Sequence, residues 1–416
     1  MSKPKKKLTK GQMRKRRKRK KRLKVILLIL EILIALLAIS GVAIALMPNS
    51  KVLAFKIFTG CPAGRTILKT LYKDDYDKNV YENNAKNIRT VDLGDGYTNI
   101  ALFGIDPRNG EFNSQTHTDT IMIVSINNKT HNVKLISVYR DSLLRMNKGN
   151  NSEKFIYEKA NYSYFTGGVS GAINMLNDNF DLDIKEYAIV NFSGLSDIID
   201  ALGGIEIRIS DSERFFINGY LTETRKITGK DAPDLEEYGM VHLSGLQATA
   251  YCRIRYTEFT DDDGTVYHND YGRTARQRYV MRTILAKAKQ VGASDLIKVA
   301  DTLIKKNNTN GEKILSTNIK WDKLVDLLTV AVDCNLESTF GFPYDVYTPE
   351  KGYNYYGYVI PVGLTQNVVR LHKDLFPDKS YTPSKTVKKI SQYIIDDSGI
   401  RPENDDYDNS DSDDDY

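Results

Sequence analysis

Short apolar runs alternate with helix-period segments over most of this chain. Asn99–Asp106 (NIALFGID) has the character of a buried strand and is stopped by Pro107. Thr120–Ile126 (TIMIVSI) is a second such run. After the polar turn 127–132, Val133–Val138 (VKLISV) is a third. The last two predict a β-hairpin with a slightly long loop. If the three strands run up, down and up, Asp106 ends the first, Asp119 starts the second and Arg140 follows the third. All three then emerge at one end of the sheet, where ligands of α/β sheets sit. Any one of them alone reads as a solvated loop charge; three at one edge read as a site.

Further along, 171–180 predicts a helix, 187–192 a strand, 193–201 a helix closed by Gly203-Gly204, and 205–209 a strand. Residues 211–240 read as a polar, Gly- and acid-containing excursion. Ser244 caps a short helix through Tyr251, and helices are predicted over 275–288, 296–304 and 321–331. A strand at 358–362 and a helix at 368–376 close the body. The fold class is therefore α/β. The stretch 377–416 is expected to be a C-terminal tail, and 401–416, with eight acids and no aliphatic residue, is expected to be disordered.

Charge changes the picture at the N-terminus. The formal net charge is +6, yet residues 1–24 carry 15 Lys and Arg and no acid. The remaining 44 basic residues face 53 acidic ones, a balance of −9. Behind the basic tail, Val25–Met47 is an apolar run of the length that spans a bilayer, roughly 20 residues. Basic flank followed by apolar span predicts one transmembrane anchor (25–47) with a cytoplasmic N-terminus (1–24). A cleaved signal peptide competes, since Ala43 and Ala45 give an A-x-A-like site, but the run exceeds a secretory core of about 7–15 residues. A nucleic-acid-binding role for the basic arm is the weaker reading of a topology signal. Residues 48–90 read as a juxtamembrane stem and 91–376 as the main domain, lying outside the membrane.

Three cysteines (61, 252, 334) give no disulfide framework. The five histidines show no HExxH or paired spacing, so no zinc site is expected.

The chemistry gathers in two places. Asp106 and Asp119 are carboxylates that can hold a divalent cation. About 150 residues later, YCRIRY (251–256) and DYGRTARQR (270–278) supply arginines that can grip phosphate oxygens. If 252–256 is extended, Arg253 and Arg255 project from one face, roughly 7 Å apart, which suits a diphosphate. Arg273, Arg276 and Gln277 share one helical face near a helix N-terminus. The structural alternatives are a salt-bridged strand for Arg253 and Arg255, and an acid-paired or solvated Arg276.

GIDPR (104–108), TDT (118–120), SVYRD (137–141), KANYSYFTGG (159–168), NFSGLSDIIDALGG (191–204), LSGLQATAYCRIRY (243–256) and DYGRTARQR (270–278) resemble, in order, the blocks of the LytR–CpsA–Psr family. VVRLHKDLF (368–376) resembles its C-terminal segment. The resemblance covers about residues 97–376. It implies a central mixed β-sheet flanked by helices behind one N-terminal transmembrane helix. It also implies a membrane-anchored extracytoplasmic phosphotransferase, in a Gram-positive-type envelope, using Mg²⁺ or Mn²⁺. Such an enzyme moves a glycopolymer (teichoic acid, capsule or another polysaccharide) from an undecaprenyl-diphosphate carrier onto peptidoglycan, at the 6-hydroxyl of muramic acid. On this resemblance Asp106 and Asp119 are the metal-associated acids, and Asp119 is also the candidate base. Arg108, Arg140, Arg253, Arg255, Arg273 and Gln277 form the diphosphate clamp, and apolar walls between sheet and helices take the polyprenyl chain.

Three features depart from the family pattern. His117 stands where the family has Arg, Tyr139 where it has Pro, and the acidic stretch TEFTDDDGTVYHN (257–269) is longer than the family's connection. A non-catalytic polyprenyl-diphosphate carrier, a membrane-tethered regulator and a simple diphosphatase would share much of this sequence.

Overall fold

A computed structural model describes Cys61 and residues 87–403, apart from 107–111, 113–115, 150–151 and most of 292–312. The expected basic tail and membrane anchor lie outside the described residues, as do most of the stem, Arg108 and the acidic terminus. Among the described residues no helix is long and apolar enough to cross a membrane.

The central sheet is built from β1 (Tyr97–Ile105), β2 (Thr118–Asn127), β3 (Asn132–Val138), β6 (Glu186–Val190), β11 (Leu315–Thr317) and β12 (Asn335–Phe342). Their spatial order is β11-β6-β1-β2-β3-β12. The pairs β1–β2, β2–β3 and β6–β11 are antiparallel, whereas β1–β6 and β3–β12 are parallel, so the sheet is mixed as expected. The β2–β3 turn is held by the Asn127 side-chain oxygen, which accepts from the amides of Lys129 and Thr130. Two-stranded ribbons are added by β4 (Leu143–Asn147) with β5 (Phe155–Lys159), β7 (Ile205–Ile209) with β8 (Gly239–Leu243), β9 (Phe259–Thr260) with β10 (Val266–Tyr267), and β13 (Val346–Tyr347) with β14 (Ile360–Pro361).

Eight helices lie wholly within the described residues: α1 (Tyr162–Phe180), α2 (Phe192–Ala201), α3 (Asp211–Thr228), α4 (Gly245–Tyr251), α5 (Asn269–Ala288), α6 (Trp321–Asp333), α7 (Leu364–Leu375) and α8 (Lys385–Ser398). One face of the sheet, with Phe103, Ile105, Ile121 and Ile123, packs solidly on α1, α7 and α8 through Ile173, Leu371 and Ile390. The other face packs at one end only, where Leu102 and Val124 meet Leu285 of α5 and Leu327 of α6. A second core joins the β7–β8 ribbon to α3 and α4 through Ile205, Ile207, Ile217, Leu221 and Leu243, with Val280 of α5 tying it to the rest.

Two expectations need correction. The stretch 211–240 is not a polar excursion throughout: its first 18 residues are α3. The helix starts on a capping box, in which the Ser210 hydroxyl accepts from the Glu213 amide and the Glu213 carboxylate accepts from the Ser210 amide. Nor does the folded body end at 376, because α8 lies beyond it. Ser384 caps α8, and Val387, Ile390 and Ile394 are buried in the main core, each contributing about 1.5–3 kcal/mol of burial. At the other end, residues assigned to the stem already join the domain: the Arg89 amide donates to the Asn174 side-chain oxygen at 2.7 Å.

Candidate functional site

Asp119 is placed by a β-bulge. Gly104 of β1 pairs with Thr120 and Ile105 pairs with Thr118, so Asp119 is the extra residue of β2 at the sheet's end. A bulge re-aims the side chain it carries, and Asp119 thereby lines a cavity of about 480 Å³ on the hollow face of the sheet. Gly104 is required by the close approach of the strands, since a Cβ there would lie 2.9 Å from Cβ of Thr120.

The cavity is apolar in its depth and charged at one end. Leu102, Met122, Ala188, Leu195, Ile198 and Ile284 line the apolar part, between the sheet and helices α2 and α5. Asp106, Asp119, Arg253, Arg255, Arg273 and Gln277 line the charged part. Six residues expected to converge from three distant segments therefore share one space.

Around Asp119 the guanidinium groups are already gathered. Arg140 Nη1 stands 2.6 Å from Asp119 Oδ1, Arg273 Nη1 at 3.6 Å and Arg255 Nη2 at 3.9 Å. Asp270, in the first turn of α5, is a second hub that sequence reasoning did not single out. It lies 2.9 Å from Arg273, 3.6 Å from Arg255 and 3.7 Å from Arg140. The three-residue step from Asp270 to Arg273, one helical turn, was the available signal. Burial opposes charge on Arg140, yet Asp270, Asp141 and Asp119 outweigh it and hold its pKa above the ordinary guanidinium value. At Arg273 the balance goes the other way: burial, with Arg140 and Arg255 nearby, pulls its pKa below the ordinary value despite Asp270. A buried cation beside like charges favours an arriving anion.

Arg253 lines the same cavity but is held by other partners. Its Nη2 donates to Glu223 Oε2 at 2.6 Å and its Nη1 to the Thr224 hydroxyl at 2.8 Å, with the group stacked over Phe192. Residues 252–256 do not form the expected strand; they are the turn that leaves α4. Ile254 is fully buried between the two arginines, so both still line the cavity.

Two arginines depart from expectation. Arg140 does not line the cavity; it reaches the site through the carboxylates of Asp119 and Asp270. Arg276 is not in the clamp: it is fully buried, donates to Glu213 at 2.8 Å, and holds the carbonyls of Thr257 and Glu258. Glu213 lies on α3, which explains the outcome, because the unforeseen helix supplies the acid. The acidic stretch 257–269 is thereby anchored at its start.

Tyr139 is packed edge-on against Tyr271 at 4.6 Å and close to Gly341, and burial pushes its phenol up to about 12. It is a packing residue rather than a proton carrier. Cys252 lines the cavity, but burial pushes its thiol up to about 12, away from the thiolate form a nucleophile needs.

Among the described residues no group of three or more His, Cys, Asp or Glu forms a metal cage. Magnesium, however, is commonly held by one or two carboxylates plus substrate phosphates. Asp106 and Asp119, both at the charged end of the cavity, fit a cation that arrives with a diphosphate.

The chain is similar in sequence and in fold to known proteins. The model described as the LytR_cpsA_psr family matches residues 66–343. The polyisoprenyl-teichoic acid–peptidoglycan teichoic acid transferase TagU of Bacillus mycoides is 27% identical over 342 residues, covering 81% of this chain and 97% of that protein. Biofilm regulatory protein A of Streptococcus mutans is 31% identical over 222 residues, 52% of this chain and 51% of its own length. Among solved structures, protein gbs0355 from Streptococcus agalactiae aligns with a TM-score of 0.53 at 23% identity, over 75% of this chain and 95% of that one, a likeness of fold.

Proposed function

The chain belongs to the LytR_cpsA_psr family, and on that premise we propose that it transfers a glycopolymer from a polyprenyl-diphosphate carrier onto peptidoglycan. It is a transferase, like the TagU proteins it resembles over most of its length. The observation that carries the reading is one cavity with an apolar depth and a guanidinium-lined end. An isoprenoid tail suits the first and a diphosphate the second.

In this reading the tail lies between the sheet and helices α2 and α5, against Leu102, Leu195 and Ile284. Arg253 grips the diphosphate from one side, and Arg255 and Arg273 from the other, with Gln277 beside them. Planar guanidinium forks suit two phosphate oxygens at once, as lysine would not. Arg108 would extend the clamp. Mg²⁺ or Mn²⁺, held by Asp106 and Asp119, would neutralise phosphate charge when bound. Asp119 takes the proton of the acceptor hydroxyl as its oxygen attacks the polymer-linked phosphorus, and polyprenyl phosphate departs. The bond formed is acceptor oxygen to phosphorus, and the bond broken joins the two phosphates. Arg140 holds Asp119 in position. The muramic acid 6-hydroxyl is the acceptor, and the apolar run 25–47 anchors the domain outside the cytoplasmic membrane.

The test uses the purified full chain with lipid-linked polymer, peptidoglycan and Mg²⁺. Polymer joined to peptidoglycan with equimolar polyprenyl phosphate is the expected result, lost on chelation or in Asp106→Asn. Lipid bound but never turned over would make the protein a carrier instead, and polymer released without acceptor would make it a diphosphatase.

A further inference from the structure

Outside the cavity, at the corner of the fold that carries Asp119, three aromatic rings stand together. His117 and Phe165 are stacked at 5.4 Å and 16°, Tyr162 and Phe165 at 5.1 Å and 21°, and His117 and Tyr162 at 5.4 Å and 34°. None of the three lines the cavity. His117 is exposed, Phe165 is 39% exposed and Tyr162 is half-buried. A core cluster would bury such rings, and these leave apolar ring area open to solvent.

Their attachment to the reacting centre is rigid. His117 is two residues before Asp119, at the edge of the bulge. The Thr118 amide donates to the Asn161 carbonyl at 3.4 Å, and the Asn161 amide donates to the Arg140 carbonyl at 2.9 Å. Tyr162 and Phe165 follow directly, one turn apart on α1. The triad, Asp119 and Arg140 thus share one hydrogen-bonded corner.

We infer that His117, Tyr162 and Phe165 form the subsite for a pyranose ring of the acceptor glycan. The inference rests on the function proposed above. In-line displacement places the incoming hydroxyl opposite the departing lipid phosphate. With the lipid in the cavity, the acceptor must approach Asp119 from outside, where the triad stands. A pyranose has one face of C–H bonds, and the electron-rich faces of aromatic rings attract such weakly positive hydrogens while covering apolar area. The imidazole at 117 extends that surface.

The test measures two ligands on the full chain in detergent: a peptidoglycan-derived tetrasaccharide and geranylgeranyl diphosphate. Phe165→Ala and His117→Ala should each weaken tetrasaccharide binding about two- to tenfold. Geranylgeranyl diphosphate affinity should be unchanged, which also shows that the variants are folded. Unchanged tetrasaccharide affinity in the double variant overturns the subsite. So does a loss of diphosphate affinity in His117→Ala, which would put the imidazole on the phosphate side. Wild type that binds the diphosphate but no tetrasaccharide removes the subsite and leaves the proposed function. Wild type that binds the tetrasaccharide but no prenyl diphosphate does the reverse.

Discussion

Arg140 donates to the carboxylate of Asp119 at 2.6 Å, although a complete β-hairpin separates the two residues in sequence. Because Arg140 stands outside the cavity, the contact fixes where Asp119 points and not what the cavity binds. Arg140→Ala is therefore expected to lower transfer about 10²-fold, the scale of a misplaced reacting group. Affinity for a prenyl diphosphate should stay within a factor of a few. Single-turnover transfer and equilibrium binding measured on one preparation check this. A binding loss as large as the rate loss would return Arg140 to the clamp.

Gly104→Ala tests the bulge. The added methyl would sit 2.9 Å from Cβ of Thr120, so the strands must part locally. Overpacking of this kind costs about 1–3 kcal/mol. The expected signature is a modest drop in denaturation midpoint with a larger loss of transfer, since Asp119 moves with Thr120. Equal activity per folded molecule would show that the bulge does not set the Asp119 geometry.

Arg276→Met tests the reassigned arginine. It leaves Glu213, whose side chain is 7% exposed, without its partner inside the second core. Breaking a buried pair from one side costs about 3–5 kcal/mol. Urea unfolding should register that loss, while the protein that remains folded keeps its prenyl-diphosphate affinity. A variant of wild-type stability but impaired binding would reinstate Arg276 at the site.

His372 gives the fold a pH dependence. It is buried against Tyr381, with rings 3.5 Å apart, and its Nε2 lies 2.8 Å from the Phe180 carbonyl. Burial lowers its pKa, outweighing the raising effects of that carbonyl and of Asp181. The unfolded imidazole takes a proton below about pH 6.5, whereas the folded one resists. Its contribution is thus complete above that pH and is lost as pH falls through the lower folded value. Thermal midpoints measured from neutral to mildly acidic pH should fall in wild type and fall less in His372→Gln. Parallel slopes would assign the acid sensitivity elsewhere.

The sheet edge was legible because period and polarity coincide there. With Asp106 ending the first apolar run, Asp119 opening the second and Arg140 following the third, an up-down-up order puts all three at the same end. Helix α3 was less visible, since its apolar stripe is thin: Ile217 and Leu221 are buried, but Phe215 on the same helix is 68% exposed. The Ser210–Glu213 capping box was the stronger signal. Missing α3 hid Glu213 and so misplaced Arg276. Asp270 was passed over because acids flanking a basic cluster normally read as solvated charge, and only packing shows it bridging three arginines. Helix α8 was masked by the polar segment before it, though Val387, Ile390 and Ile394 carry a helical period.

The sheet is loaded unequally. On the side of α1, α7 and α8 it is buried in the main core; on the side of α2 and α5 a gap is kept open. Damage to the filled side should surface as lost yield or heat tolerance, and damage to the open side as lost chemistry in a sturdy protein. Selection for robustness and selection for a different cargo can therefore proceed on opposite surfaces of the same strands, with little interference between them.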